Sequence, residues 1–296
     1  LDIYDLKIPH DNHNLEWMRF GNSVASIVIE KNTILRVDLG NADFLRPPQF
    51  VVLACSIEYL HAKFDCPVEF CGGTAVLNKH LNNIKFKQYW TPNFKRDNYT
   101  SSLNNSTLCP WHISKNMIDQ YGQQAQKYFK STFFHNKDLQ PLSHSLIEVF
   151  NNIFDHSQSS IQGYVITQYY PRTEKLTFAV CDFGVGIPTT INNYLYANDS
   201  YELKHNKAIE KALERGMTIR SIPNNAGFGL SNVLDFTEDS NGKITIFSNK
   251  GYFIKKSNED IISGLLSYPF NGTLIIVEID TKTLDDFDKD DEIYDF

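Results

Sequence analysis

The run Thr177-Phe178-Ala179-Val180-Cys181-Asp182-Phe183-Gly184-Val185-Gly186-Ile187-Pro188 constrains this chain more than any other stretch. Its apolar start reads as a buried strand that delivers Asp182 to its end. Gly184 and Gly186 follow, and the missing Cβ atoms let the backbone come close to a flat ligand. A plain strand with a glycine-rich turn has the same pattern, so what surrounds the run decides its meaning.

Three more short motifs flank it in order. Upstream, Glu148-Val149-Phe150-Asn151-Asn152-Ile153-Phe154-Asp155-His156 lies on an amphipathic helix whose apolar residues include Leu146, Ile147, Phe150, Ile153 and Phe154. Glu148, Asn152 and Asp155 are spaced i, i+4, i+7 and share one helical face. A carboxylate, an amide and a second carboxylate in a row suit a hard cation and can orient water; a solvated helix face carries similar rows. Downstream, Asn224-Asn225-Ala226-Gly227-Phe228-Gly229-Leu230-Ser231-Asn232-Val233 sets two glycines before a helix-like run. That arrangement presents backbone N–H groups to phosphates. Last, Asn271-Gly272-Thr273 feeds the strand Leu274-Ile275-Ile276-Val277.

Together these motifs resemble the GHKL nucleotide-binding superfamily, which includes gyrases, histidine kinases and MutL. Glu148/Asn152/Asp155 resembles the N box, Asp182-x-Gly184-x-Gly186 the G1 box, Gly227-x-Gly229-Leu230 the G2 box, and Gly272-Thr273 the terminal Gly-Thr pair. The resemblance covers residues 115–280. It implies an α/β fold of the Bergerat type, a mostly antiparallel mixed sheet with helices on one face, and ATP and Mg²⁺ as ligands. It also implies roles. Asp182 accepts a hydrogen bond from the adenine amino group, Gly186 gives the base room, and Thr273 supports the adenine end through Asp182. Asn152 ligates Mg²⁺, Gly227 and Gly229 lie against the phosphates, and Glu148 orients and deprotonates the nucleophile. Phosphoryl transfer needs mainly positioning and charge stabilisation, which such a set supplies. The acidic Asp155 is closer to MutL-type members than to histidine kinases, and His156 is expected as a packing residue. Residues 189–225 fall in the family's ATP-lid region, with a helix expected over 207–215 and the basic residues Lys207, Lys211, Arg215 and Arg220.

Residues 1–90 read as a smaller α/β domain. Strands are expected at 24–29, 33–39 and 68–71, a helix from Pro47 and Pro48 through Phe64, and a short helix at 75–84. Val37-Asp38-Leu39-Gly40-Asn41-Ala42-Asp43-Phe44-Leu45-Arg46-Pro47-Pro48 loosely resembles the STAS domains of anti-sigma antagonists. Those carry a phosphorylatable Ser or Thr in this loop, and Arg46-Pro47-Pro48-Gln49 has no hydroxyl. Residues 91–113, rich in Asn, Ser, Thr and Pro, read as a linker. Residues 114–284 form the GHKL-like domain, with a helix at 114–134 and a break at Pro141. Residues 285–296 form an acidic tail, either a solubilising end or an interaction segment.

Charge and apolar patterning narrow the partners. The formal charge of −7 sits largely in that tail, so no electrostatic footprint for nucleic acid extends across the chain. No apolar run approaches the ~20 residues of a membrane span, and Leu1–Phe20 is too polar and mixed for a signal peptide. The five cysteines match no zinc spacing and suit reduced thiols in the cytoplasm.

Three functions compete: an ATPase whose cycle moves the lid and changes contacts with a protein partner or a second copy, an anti-sigma-type serine/threonine kinase, and a non-hydrolysing nucleotide-gated binding module. Glu148 favours the first two, and the ATPase ranks first. The His-acid-Pro acceptor pattern of a full sensor histidine kinase is absent.

Overall fold

The computed structural model describes residues 2–95, 106–114, 117–153, 157–198, 200–215 and 229–286. Its first part alternates β1 (Asp2–Lys7), α1 (Asn14–Ser23), β2 (Thr33–Asp38), α2 (Pro47–Phe64), β3 (Val68–Cys71) and α3 (Ala75–Asn83). The three strands form a parallel sheet in the order β1-β2-β3. The second part comprises β4 (Trp111–Ile113), α4 (Ile118–Thr132), α5 (Gln140–Asn152), β5 (Gly163–Tyr170), β6 (Lys175–Asp182), α6 (Ile187–Ala197), α7 (His205–Ala212), α8 (Gly229–Asp239), β7 (Lys243–Lys256) and β8 (Ile262–Asp280). Its five strands pair antiparallel throughout, in the order β4-β5-β6-β8-β7.

Side-chain alternation along these strands builds two cores. Phe178, Val180, Ile244, Ile246, Ile275, Val277 and Ile279 point to one face, against Leu142, Leu146, Val149 and Phe150 of α5 and Leu230 and Val233 of α8. Tyr164, Ile166, Ala179, Cys181, Leu274 and Ile276 point to the other, into a cluster shared with Val51, Val52, Cys55 and Leu60 of α2. A strand covered on both sides reads as a continuous apolar run, which is why β6 stands out in the sequence. Each fully buried Val, Ile, Leu or Phe here contributes about 1.5–3 kcal/mol of transfer free energy. The first 90 residues therefore share a buried core with the five-stranded sheet, and α2 covers the face opposite α5 and α8.

Several expectations need correction. Residues 24–29 are not a strand: Val24–Ser26 is one turn of 3-10 helix, and Val24 and Ile29 plug the core while Val28 is 75% exposed. The true first strand, Asp2–Lys7, has only Leu6 buried, so it carried little apolar signal. Trp111–Ile113, inside the expected linker, is an edge strand paired with Val165, Tyr164 and Gly163. The break expected at Pro141 is present between α4 and α5, and Pro141 itself sits in the first turn of α5, where a missing N–H costs nothing. The helix expected over 207–215 is α7, His205–Ala212. No described helix is long and apolar enough to cross a membrane.

Candidate nucleotide site

Strand β6 ends at Asp182, whose carboxyl is buried. Its Oδ1 accepts the Gly184 backbone N–H at 2.7 Å, a tight turn that bends the chain out of the strand. Burial pushes the Asp182 carboxyl up to about 7, and the Gly184 N–H opposes this only in part. On the ladder Asp182 lies between Gly163 of β5 and Thr273 of β8.

Glycine is required at several points around this carboxyl. A Cβ on Gly184 would meet the Ser157 carbonyl oxygen at 2.1 Å. Gly186 has φ +82°, and a Cβ there would lie 1.9 Å from Asn249 Oδ1. Gly272 has φ +127°, and a Cβ would lie 2.0 Å from the Asp182 carbonyl oxygen. Gly163 is crowded less severely, with the Cys181 carbonyl oxygen at 2.6 Å. The turn after Asp182 is thus pressed against the 157 segment, β7 and β8. The Val185 N–H donating to the Ser157 carbonyl at 2.7 Å completes the clamp.

Two residues that sequence reasoning missed hold the turn from the β7 side. Ser248 Oγ accepts the Ile187 N–H at 2.9 Å and lies 2.9 Å from the Gly272 carbonyl and 3.0 Å from Thr273 Oγ1. If the Ser248 proton goes to the Gly272 carbonyl, the Thr273 hydroxyl donates to Ser248. Ser248 thereby joins the Gly-Thr pair to the helix start after Gly186. Asn249 Nδ2 donates to the Val185 carbonyl at 3.1 Å, while its buried Oδ1 has no described partner. The β7–β8 register shifts at Ser248/Asn249 and Asn249/Gly251, and such an irregularity re-aims side chains toward a site. An Asn-Lys-Gly tripeptide inside a β-branched run was the available signal; Gly163 at a strand start was another.

Helix α5 supplies Glu148 and Asn152, both half-buried. Asn152 Nδ2 donates to the Glu148 carbonyl at 2.8 Å, which commits the amide's donor end and leaves Oδ1 as its acceptor. Burial pushes the Glu148 carboxyl above its ordinary value, with His144 opposing. The next residue, Ile153, reaches the Asp182 strand end: a Cβ on Gly163 would lie 3.2 Å from Ile153 Cδ1 and 3.5 Å from Asp182 Cβ. Asp155 and Gly227 lie outside the described residues. Gly229 is the first residue of α8, with open space where a Cβ would be, and Leu230 is buried in the core.

The basic side chains of the expected lid are engaged on the surface. Lys207 pairs with Glu210 at 2.7 Å, Lys211 with Glu214 at 2.6 Å, and Arg215 with Asp235 at 2.8 Å; Arg220 is outside the described residues. Among the described residues no group of three or more His, Cys, Asp or Glu is placed to hold a metal. A cation carried in by phosphates needs few protein ligands, and the Asn152 Oδ1 fits that requirement.

Comparison with known protein families and with curated proteins finds no match.

Proposed function

We propose that this chain is a Mg²⁺-dependent ATP-binding protein of GHKL type, and that it hydrolyses ATP in a cycle coupled to lid movement and to contacts with a protein partner or a second copy. One observation carries the reading. A buried carboxylate at a strand end, Asp182, is turned by the Gly184 N–H beside two glycines that admit no side chain, with Thr273 opposite. A solvated turn has no need of that crowding. Such a carboxylate accepts from an amino group and repels a carbonyl oxygen, which favours adenine over guanine as its partner.

In this reading Asp182 accepts from the adenine amino group, and Gly186 lets the turn pack closely on Ser248 and Asn249 and so fixes the edge of the ring's site. Thr273, held by Ser248, steadies the adenine end. Gly229, with Gly227, lets the phosphates approach the start of α8. Asn152 holds Mg²⁺ through Oδ1; when bound, the ion neutralises phosphate charge. Glu148 lies one helical turn earlier and orients the attacking water. Its raised pKa suits a general base, which works best near the operating pH.

Incubation of purified protein with γ-labelled ATP and Mg²⁺ tests the proposal. Released phosphate is the expected outcome. Label retained on protein would establish a kinase instead, and binding without either would establish a nucleotide-gated module.

A further inference from the structure

A concave site lies between α1, the loop before α2 and the β7–β8 ribbon. It has a volume of about 520 Å³ and shares no lining residue with the candidate nucleotide site. That volume lies within the range of small-molecule sites, roughly 300–1,000 Å³. Its lining includes His13, Arg19, Arg46 and Lys243, together with the rings of Tyr252 and Tyr268, and no carboxylate.

The cations are unevenly committed. Arg19 is held by Glu16 at 2.8 Å and also lies over the Tyr268 ring, 4.4 Å from its centroid. Arg46 and Lys243 make no ion pair with any described residue; the nearest acid along the ladder is Glu278, opposite Lys243 and outside the lining. Three cations around one concavity, Arg19, Arg46 and Lys243, raise the local concentration of anions.

Arg46 closes the loop that opens α2. It caps α2 ahead of Pro47 and Pro48. Two prolines remove backbone donors from that helix start, so an anion at the loop must be held by side chains. The loop is braced for that: the Arg46 N–H donates to Gln49 Oε1 at 2.7 Å, and Gln49 Nε2 donates to the Asn12 carbonyl at 2.8 Å. This ties the Arg46 wall to the α1 wall.

We infer that this groove binds a small phosphorylated ring compound of the nucleoside monophosphate class, with Arg46, Lys243 and Arg19 on the phosphate and Tyr268 and Tyr252 beside the ring. Guanidinium forks match phosphate oxygens, and tyrosine faces stack on flat rings.

The test is calorimetric titration of the full chain with UMP, CMP, GMP and AMP, repeated at raised salt. UMP is the most telling probe, because its ring offers carbonyls where Asp182 would need an amino group. At least one monophosphate is expected to bind, with affinity falling as salt rises. The double substitution Arg19→Gln and Arg46→Gln should weaken it tenfold or more, while Mg·ATP affinity stays within twofold. Both arginines are exposed, so the melting temperature should hold. The inference is overturned if no monophosphate binds, if the double variant binds unchanged, if only a single-stranded oligonucleotide binds, or if Mg·ATP affinity falls in parallel.

Discussion

Tyr59 of α2 meets Phe183, the middle residue of Asp182-Phe183-Gly184, edge to face with ring centroids 6.3 Å apart. Phe183 also meets Phe270 of β8 at 6.0 Å. From α1, a Cβ on Gly21 would lie 3.2 Å from Phe270 and 3.4 Å from Phe183. The first part of the chain therefore packs directly on the turn that carries Asp182. Tyr59→Ala should cost about 0.5–1.5 kcal/mol for the aromatic pair beyond lost burial and weaken ATP binding as the turn loosens. Denaturant unfolding and ATP titration of the same variant check this; full ATP affinity in a destabilised variant would mean the contact is structural only.

Asp182 makes opposite demands on stability and on binding. Its carboxyl is raised from 3.8 to about 7 by burial, so the folded state holds this proton more tightly than the unfolded chain. The associated stability is fully present below pH 3.8 and is lost as pH rises through about 7. Asp182→Asn should abolish that loss and gain on the order of a few kcal/mol relative to wild type at pH 8, but little at pH 4. Parallel melting curves at both pH values decide it. ATP should select the ionised form, so wild-type affinity should rise between pH 6 and 8 with proton release on binding. Asp182→Ala should bind ATP at least tenfold more weakly.

Glycine substitutions separate fold from ligand. Gly186→Ala puts a Cβ 1.9 Å from Asn249 Oδ1 at φ +82°, so it should destabilise by on the order of 1–3 kcal/mol and impair ATP binding together. Gly229→Ala meets nothing within 4 Å and should leave the melting temperature within a degree or two, yet weaken ATP binding where the phosphates approach. Equal ATP affinity in Gly229→Ala would remove Gly229 from the phosphate site.

On α5 the two polar residues divide binding from chemistry. Glu148→Ala should keep most of its ATP affinity while turnover falls ~10²–10⁴-fold, the usual loss on removing a general base. Wild-type turnover should rise with pH through the raised Glu148 pKa, since the base must be ionised. Asn152→Ala should lose the part of ATP affinity that depends on Mg²⁺. Steady-state hydrolysis and titrations with and without Mg²⁺ distinguish the two; unchanged turnover in Glu148→Ala would exclude it as the base.

Ser248→Ala tests the support behind the turn. The Ile187 N–H, the Gly272 carbonyl and the Thr273 hydroxyl would all lose a partner. Each net hydrogen bond contributes about 0.5–1.5 kcal/mol, and an orphaned buried group costs more. A fall of on the order of 2–3 kcal/mol in unfolding free energy, with weaker ATP binding, is expected. Near-normal stability would show that water replaces the hydroxyl.

The sequence by itself determined the local elements with strong periodicity or punctuation. β6 and β8 were legible because both of their faces are buried, and α2 because Pro47 and Pro48 sit at its start. Asp182, Gly184, Gly186 and Thr273 were legible because carboxylates and glycines are costly at a buried strand end unless something requires them. Only the tertiary structure decided that Ser248 and Asn249 of β7 close on that turn, and that Gly163 lies opposite Asp182. Contacts such as Ile187 with Ser248, or the Cys55 thiol donating to the Cys181 carbonyl, join residues 61 and 126 positions apart and depend on register rather than on any local pattern. The edge strand Asp2–Lys7 was illegible for a related reason: one buried side chain, Leu6, leaves no periodicity to read, and its hydrogen-bond partners from Thr33 to Asp38 lie a helix away. The groove at Arg46 likewise exists only because α1, the α2 loop and the β7–β8 ribbon converge, since charges scattered along a sequence acquire a common field only when the fold brings them together.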